Sequence, residues 1–256
     1  MRKFTINQKI VEEFFSSQKV ISYYSRPRLY LSEKKLFKKY LKKGKVLDLC
    51  CGSGRVAIPL AKMGFDVVGI DNNLKMIKAA DKLKRKFNLK NIKFVCADAS
   101  KVKFKKEQFD YVLIMENSLE IIPYKEKREA IFKNAYNFLK KNGLFIASFQ
   151  SYFYPIKIAF RLFFHNIEYL IKLTLFNNQK LRINDILIFN KKFNKVIFFH
   201  LFFPWEIKKN YKKAGFNFFK IVPLNSLDKR KNKFKNLKIY QYLKPFLYCY
   251  WIALKS

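Results

Sequence analysis

Apolar and polar positions fall in blocks through the first 150 residues. Short apolar runs stand at Val46 to Leu49, Phe65 to Ile70, N-I-K-F-V-C-A-D-A ending in Asp98, Phe109 to Met115, and Leu144 to Phe149. Runs of this length, with few alternating polar positions, predict strands buried on both faces. The intervening stretches have helical spacing. Arg55 to Met63 carries Val56, Ile58, Leu60 and Ala61 and stops at Gly64. A helix starting from an Asn72 or Asn73 cap has the apolar stripe Leu74, Ile77, Ala80, Leu83 and Phe87, with Lys75, Lys78, Lys82 and Lys86 on the solvent side. Tyr124 to Lys141 predicts a helix stopped at Asn142-Gly143. Ahead of the first strand, residues 5–42 read as largely helical. Ile6, Ile10, Val11, Phe14 and Phe15 give one stripe. Leu36, Phe37, Tyr40 and Leu41 give another, with Ser32 and Glu33 near its start and Lys42-Lys43-Gly44 ending it. Strands alternating with helices imply a mainly parallel, doubly wound α/β sheet, which binds ligands beyond the carboxyl ends of its strands.

The pattern changes after residue 150. Tyr152 to Phe176 is almost wholly apolar, and its ionisable residues, tyrosines aside, are Lys157, Arg161, His165, Glu168 and Lys172. These form one narrow stripe on a helix. Such a helix buries most of its surface against the core, over a substrate pocket as a lid, or at a membrane surface. Residues 183–203 hold two apolar runs around K-K-F-N-K, an antiparallel hairpin. A short helix follows from Pro204 to Gly215, then strands at Phe216 to Pro223 and Phe246 to Leu254. The division expected within a single domain is therefore a helical cap (1–42), a cofactor-binding core (43–150), an apolar helical insertion (151–182), and C-terminal strands and helix completing the sheet (183–256).

Chemistry concentrates at the strand ends. In V-L-D-L-C-C-G-S-G-R, Gly52 and Gly54 let the backbone turn sharply between strand and helix and approach a ligand. Asp71 ends the next strand, where an acid accepts hydrogen bonds from ribose hydroxyls. Asp48, Asp98 and Glu116-Asn117 stand at or beside the ends of other strands. Taken singly, each reads as a solvated loop group; as a set they read as a nucleoside site.

The chain carries 54 Lys and Arg against 18 Asp and Glu, a formal net charge of +36. Two readings of this excess stay open: a surface for polyanions, or a compositional bias toward Lys, Asn, Ile and Phe. Arginine shows no cluster of the kind that reads phosphates. Cys50, Cys51, Cys96 and Cys249 have neither zinc nor C-x-x-C spacing, and no metal site is expected. Free cysteines suggest a reducing compartment, hence the cytoplasm. No signal peptide and no transmembrane run is read in the sequence.

The segments V-L-D-L-C-C-G-S-G-R, G-I-D-N-N-L-K-M-I-K-A-A, C-A-D-A and the strand ending M-E-N together resemble the class I S-adenosylmethionine-dependent methyltransferases, as do the late A-G-F and Y-W-I-A-L-K. The resemblance covers residues 30–150 well and the remainder more loosely. It implies a Rossmann-like, seven-stranded, mostly parallel sheet with an antiparallel last strand, a helical cap before it and an insertion after the fifth strand. It implies S-adenosyl-L-methionine as cofactor. Asp48, Leu49, Cys50, Gly52 and Gly54 would line the methionine end. Asp71 and Asn72 would serve the ribose, and Asp98 and Ala99 the adenine edge. Glu116 and Asn117 would lie beside the methionine portion and the mouth of the acceptor pocket. One departure is Cys50-Cys51, where many members have Gly-Cys.

The implied reaction is methyl transfer to a small acceptor, lipophilic or aromatic given the apolar insertion. Such a displacement needs alignment and exclusion of water more than acid or base help. His165 and His200 read as structural histidines, and no catalytic base is assigned. Rival readings are an RNA or other nucleic-acid methyltransferase using Lys229, Arg230, Lys231, Lys233, Lys235 and Lys238; an NAD enzyme, since Gly52-Ser53-Gly54-Arg55-Val56-Ala57 satisfies G-x-G-x-x-A; and a nucleotide-binding protein without turnover. No amino-group motif for a flipped base follows the fourth strand, where M-E-N-S stands. No protein partner is implied, and peripheral membrane contact would run through 152–176.

Overall fold

The computed structural model describes residues 6–150, 184–223, 227 and 249–256. The apolar segment 152–176, with His165, and the basic stretch 229–238 lie outside the described residues.

Three short helices come first: α1 (Ile6–Phe15), α2 (Gln18–Tyr24) and α3 (Leu31–Tyr40). The core then alternates β1 (Lys45–Leu49), α4 (Ala57–Lys62), β2 (Asp66–Asp71), α5 (Leu74–Lys86), β3 (Ile92–Cys96), β4 (Phe109–Ile114), α6 (Lys125–Phe138) and β5 (Leu139–Phe149). Beyond residue 183 come β6 (Asp185–Asn190), β7 (Lys195–His200), α7 (Pro204–Ala214), β8 (Phe218–Pro223) and β9 (Cys249–Leu254).

The main sheet has seven strands in the order β3-β2-β1-β4-β5-β9-β8. β1 to β5 pair in parallel, and β9 runs antiparallel to both β5 and β8. The expected α/β sheet with an antiparallel last strand is therefore present. Strand order reverses between β1 and β4, so their carboxyl ends open a crevice. Both sheet faces are covered, because the strands read as continuous apolar runs. One face packs Phe132, Phe145, Phe149 and Tyr211 against Trp251. The other packs Leu36 and Phe37 of α3 against Ile58, Leu60 and Ile77. A third cluster lies beyond the crevice. Phe14, Val20 and Ile21 of α1 and α2 meet Met76, Phe193 and Ile197 there.

Five local expectations change. The first N-terminal helix breaks at Ser16-Ser17, which lets α2 turn its Val20 and Ile21 into that third cluster. α3 ends at Tyr40, and Gly44 is no helix cap: a Cβ there would stand 2.8 Å from Asp110 Oδ2, the acceptor of the Lys45 N–H. On α5, Leu74 is 54% exposed and Met76 is buried in its place. The cap on Asn73 sets this rotation, its side chain accepting from Lys75 N and Met76 N. α6 stops at Phe138, because Leu139 already pairs with Phe109 in the sheet and its carbonyl accepts from the Lys255 ammonium. Finally, β6 and β7 do not join the main sheet. They form a separate two-stranded ribbon that packs Ile197 against the α1–α2 pair.

Candidate functional site

The glycine turn is built from both sides. Cys51 N donates to Ile70 O at 2.9 Å, and Gly52 N donates to Asp71 Oδ2 at 2.8 Å. Asp71 Oδ1 accepts from Asn73 N at 2.9 Å, so one carboxylate ties the turn to the start of α5. Each of its oxygens retains a lone pair for a further donor. Gly52 has φ +54 and open space where a Cβ would stand; Gly54 has φ +83 and faces Phe94 and Ile58 closely. Cys50 takes φ 59, a conformation that costs an ordinary L-residue roughly 1–2 kcal/mol and glycine nothing. Glu116 and Asn117 share it, at φ 57 and 59. Backbone strain thus gathers at the carboxyl ends of β1 and β4, where such outliers mark functional sites.

A cavity of about 530 Å³ opens above these ends. Its floor holds Asp48, Cys50, Gly52 and Asp71; toward β3 it holds Asn72, Asp98 and Ala99; Glu116 stands at the end of β4. Asp48 is 2% exposed, and its Oδ2 has no hydrogen-bond partner among the described residues. Burial pushes its carboxyl up to about 7. Asp71 is also raised by burial, partly offset by the Asn73 and Gly52 N–H groups. Asp98 is saturated differently. Its Oδ1 accepts from Ser100 N at 2.9 Å and Ser100 Oγ at 2.6 Å, and its Oδ2 from Lys127 Nζ at 2.9 Å.

Arg55 leaves the turn toward the cap. It grips Glu33 with two bonds of 2.9 and 2.7 Å and lies 2.9 Å from Glu116 Oε2. Its guanidinium sits 4.6 Å from the centroid of the Tyr30 ring, and the Tyr30 hydroxyl donates to Glu116 Oε1 at 3.2 Å. Glu33 and Arg55 are both buried, so this clasp fastens the cap to the crevice in a desolvated setting. The roof is formed by Val11, Phe15 and Tyr24 from the cap and by Ile197 and Phe199 from β7, facing Ile121 and Ile122.

The structure therefore brings Asp48, Cys50, Gly52, Asp71, Asn72, Asp98, Ala99 and Glu116 to one cavity. It does not bring Leu49, Gly54 or Asn117 to the wall. Leu49 is fully buried in the core, Gly54 packs inward on Phe94, and the Asn117 N–H donates to Ser148 Oγ at 3.0 Å. His200 lies outside the cavity. It is fully buried, with Nδ1 2.6 Å from Asp185 and Nε2 3.0 Å from Glu206, as a structural histidine should be. Among the described residues no cluster suited to a metal ion is present, and no helix is long and apolar enough to cross a membrane. Periodicity alone did not reveal the Arg55 clasp or the β7 wall. The one available signal was Arg55 itself, a charge placed directly after the turn at the start of an apolar helix.

A buried carboxylate oxygen without a partner among the described residues, a glycine with open space before it and an acid at the end of β2 fit a nucleoside that carries positive charge. The fold and crevice define a doubly wound nucleoside-binding protein. Residues 46–143 match the Methyltransferase domain family. The chain is 37% identical over 111 residues to the ubiquinone biosynthesis O-methyltransferase of Pelagibacter ubique, covering 43% of this chain and 44% of that protein. It is 38% identical over 116 residues to the demethylmenaquinone methyltransferase of Lactobacillus johnsonii, covering 41% and 46%. The match thus spans less than half the length of either relative. A SAM-dependent methyltransferase from Methanosarcina mazei shares the fold at a TM-score of 0.65 and 20% identity, over 86% of this chain and 96% of that one. The core of the chain, residues 46–143, is thus similar to methyltransferase domains, and its fold is that of the S-adenosylmethionine-dependent methyltransferases, whose cofactor is S-adenosylmethionine.

Proposed function

We propose that the protein transfers a methyl group from S-adenosylmethionine to a small acceptor with an apolar body. The observation that carries this reading is the continuity of the cavity. It runs from the glycine turn and its acids to a chamber walled by Val11, Phe15, Ile121, Ile122, Ile197 and Phe199. The cofactor supplies a methyl group already activated by the sulfonium charge. Asp48 and the Gly52 turn would hold the methionine end, Asp71 and Asn72 the ribose, and Asp98 with Ala99 the base. The apolar roof excludes water and fixes the acceptor in line with the methyl carbon, so proximity supplies much of the rate.

The two curated relatives, named for ubiquinone biosynthesis and demethylmenaquinone, are in keeping with a small acceptor. A polyanionic acceptor is disfavoured by the acids of the cavity wall. Four unpaired cysteines accord with work in the cytoplasm. The test is calorimetry with S-adenosylhomocysteine and, separately, with NAD. Binding of S-adenosylhomocysteine alone is expected, and binding of NAD alone would overturn the reading.

A further inference from the structure

Among the described residues the cavity wall has the opposite sign of formal charge to the chain as a whole. Among the described residues its wall includes five acids, Glu12, Asp48, Asp71, Asp98 and Glu116, and three cations, Arg55, Lys75 and Lys127. The whole chain has 18 acids against 54 cations, so a compositional bias toward lysine would have filled this wall with positive charge. The cations present are already engaged. Arg55 is held between Glu33 and Glu116, Lys127 pairs with Asp98, and Lys75 donates to Ser16 O at 3.4 Å. Asp48, Asp71 and Asp98 lie on the cofactor side. Glu116, which pairs with Arg55, accepts from the Tyr30 hydroxyl and keeps further lone pairs on each oxygen, shares the cavity wall with the rings of Tyr24 and Phe15. The Glu33–Arg55–Glu116 group keeps one net negative charge.

We infer that the acceptor is an amine on an apolar body, bound as its ammonium ion at Glu116 against the aromatic wall. The inference rests on the cofactor reading above. Carboxylate and ring faces together are the chemistry that recognises an ammonium ion, and a hydrocarbon chamber suits the remainder of such a molecule. Burial raises the Glu116 carboxyl above its ordinary value, with Arg55 pulling the other way, so its carboxylate is a stronger base than a solvated one. For transfer, one ammonium proton passes to the Glu116 carboxylate. The freed nitrogen lone pair then forms the N–C bond as the C–S bond breaks, and sulfur keeps the bonding pair. The product is a methylammonium ion beside a neutral thioether, and Glu116 returns its proton to water.

The test uses the full chain loaded with S-adenosylhomocysteine, titrated calorimetrically with 2-phenylethylamine and with its neutral analogue 2-phenylethanol. The amine is expected to bind at least about tenfold more tightly, the worth of one charge-assisted hydrogen bond. Glu116→Gln should abolish that preference while S-adenosylhomocysteine still binds. Equal binding of the two probes to the wild-type protein, or binding of neither, overturns the inference and leaves the cofactor reading standing. A Glu116→Gln variant that loses S-adenosylhomocysteine but keeps the amine preference also overturns it, since the carboxylate would then serve the cofactor. Failure of S-adenosylhomocysteine to bind the wild-type chain removes the cofactor reading and this inference together.

Discussion

Asp48 stores a conflict between stability and binding that a single substitution can expose. It is 2% exposed, one carboxylate oxygen lacks a partner among the described residues, and burial pushes the group up to about 7; Arg55 opposes this, while Glu33 and Asp71 reinforce it. In the unfolded chain the group titrates near 3.9. The folded state therefore holds the proton to higher pH than the unfolded state does. The stability linked to this group is fully present below about pH 4 and is lost as pH rises toward 7. A gap of about 3 pKa units at 1.36 kcal/mol each amounts to roughly 4 kcal/mol. Asn cannot ionise and keeps an acceptor for the Ala57 N–H that now serves Asp48. Part of the gain is lost because an amide is also costly to bury. Asp48→Asn should thus stabilise the ligand-free protein by about 2–3 kcal/mol at pH 8 and hardly at all at pH 4. Urea unfolding across this pH range measures it directly. S-adenosylhomocysteine affinity, read by calorimetry, should fall in the same variant, since the ammonium group at the amino-acid end of that ligand loses a buried counter-charge. Unfolding free energies of wild type and variant that run parallel with pH would refute the assignment.

The Arg55 clasp and the glycine turn give two further expectations. Arg55→Met leaves Glu33, 2% exposed, as a buried charge without its cation, and should cost about 3–5 kcal/mol in urea unfolding. Adding Glu33→Gln to that variant should recover part of the loss, and a double variant no more stable than the single one would refute the pairing. Gly54→Ala meets a φ of +83 and places its Cβ 2.9 Å from Phe94 and 3.0 Å from Ile58, whereas Gly64→Ala meets a φ of +89 in open space. The first should cost about 2–4 kcal/mol and weaken S-adenosylhomocysteine binding, the second about 1–2 kcal/mol with binding unchanged. Equal losses at the two sites would show that backbone strain alone, and not the approach to Phe94, governs the turn.

Much of the molecule was fixed by near neighbours in sequence. The strands Lys45–Leu49, Asp66–Asp71, Ile92–Cys96 and Phe109–Ile114 follow from apolar runs, and the turn at Gly52 and Gly54 from two residues free of Cβ. The acids at strand ends were legible because a parallel sheet sends every carboxyl end to one edge, so Asp48, Asp71, Asp98 and Glu116 had to meet. Tertiary structure decided what sequence distance hides. Leu139 could continue a helix by spacing alone, but the open edge beside Phe109 drew it into the sheet. The apolar runs at 185–200 promised a hairpin but not its place, which was set by α1 and α2 needing a partner for Phe14 and Ile21. The partners of Arg55, Glu33 and Glu116, stand 22 and 61 positions away, and only the fold closes them around it. Local pattern determined the glycine turn and the strand-end acids on the floor of the cavity. Its apolar roof, built from pieces of chain far apart in sequence, took its shape only from packing, because desolvation and pairing act on neighbours in space.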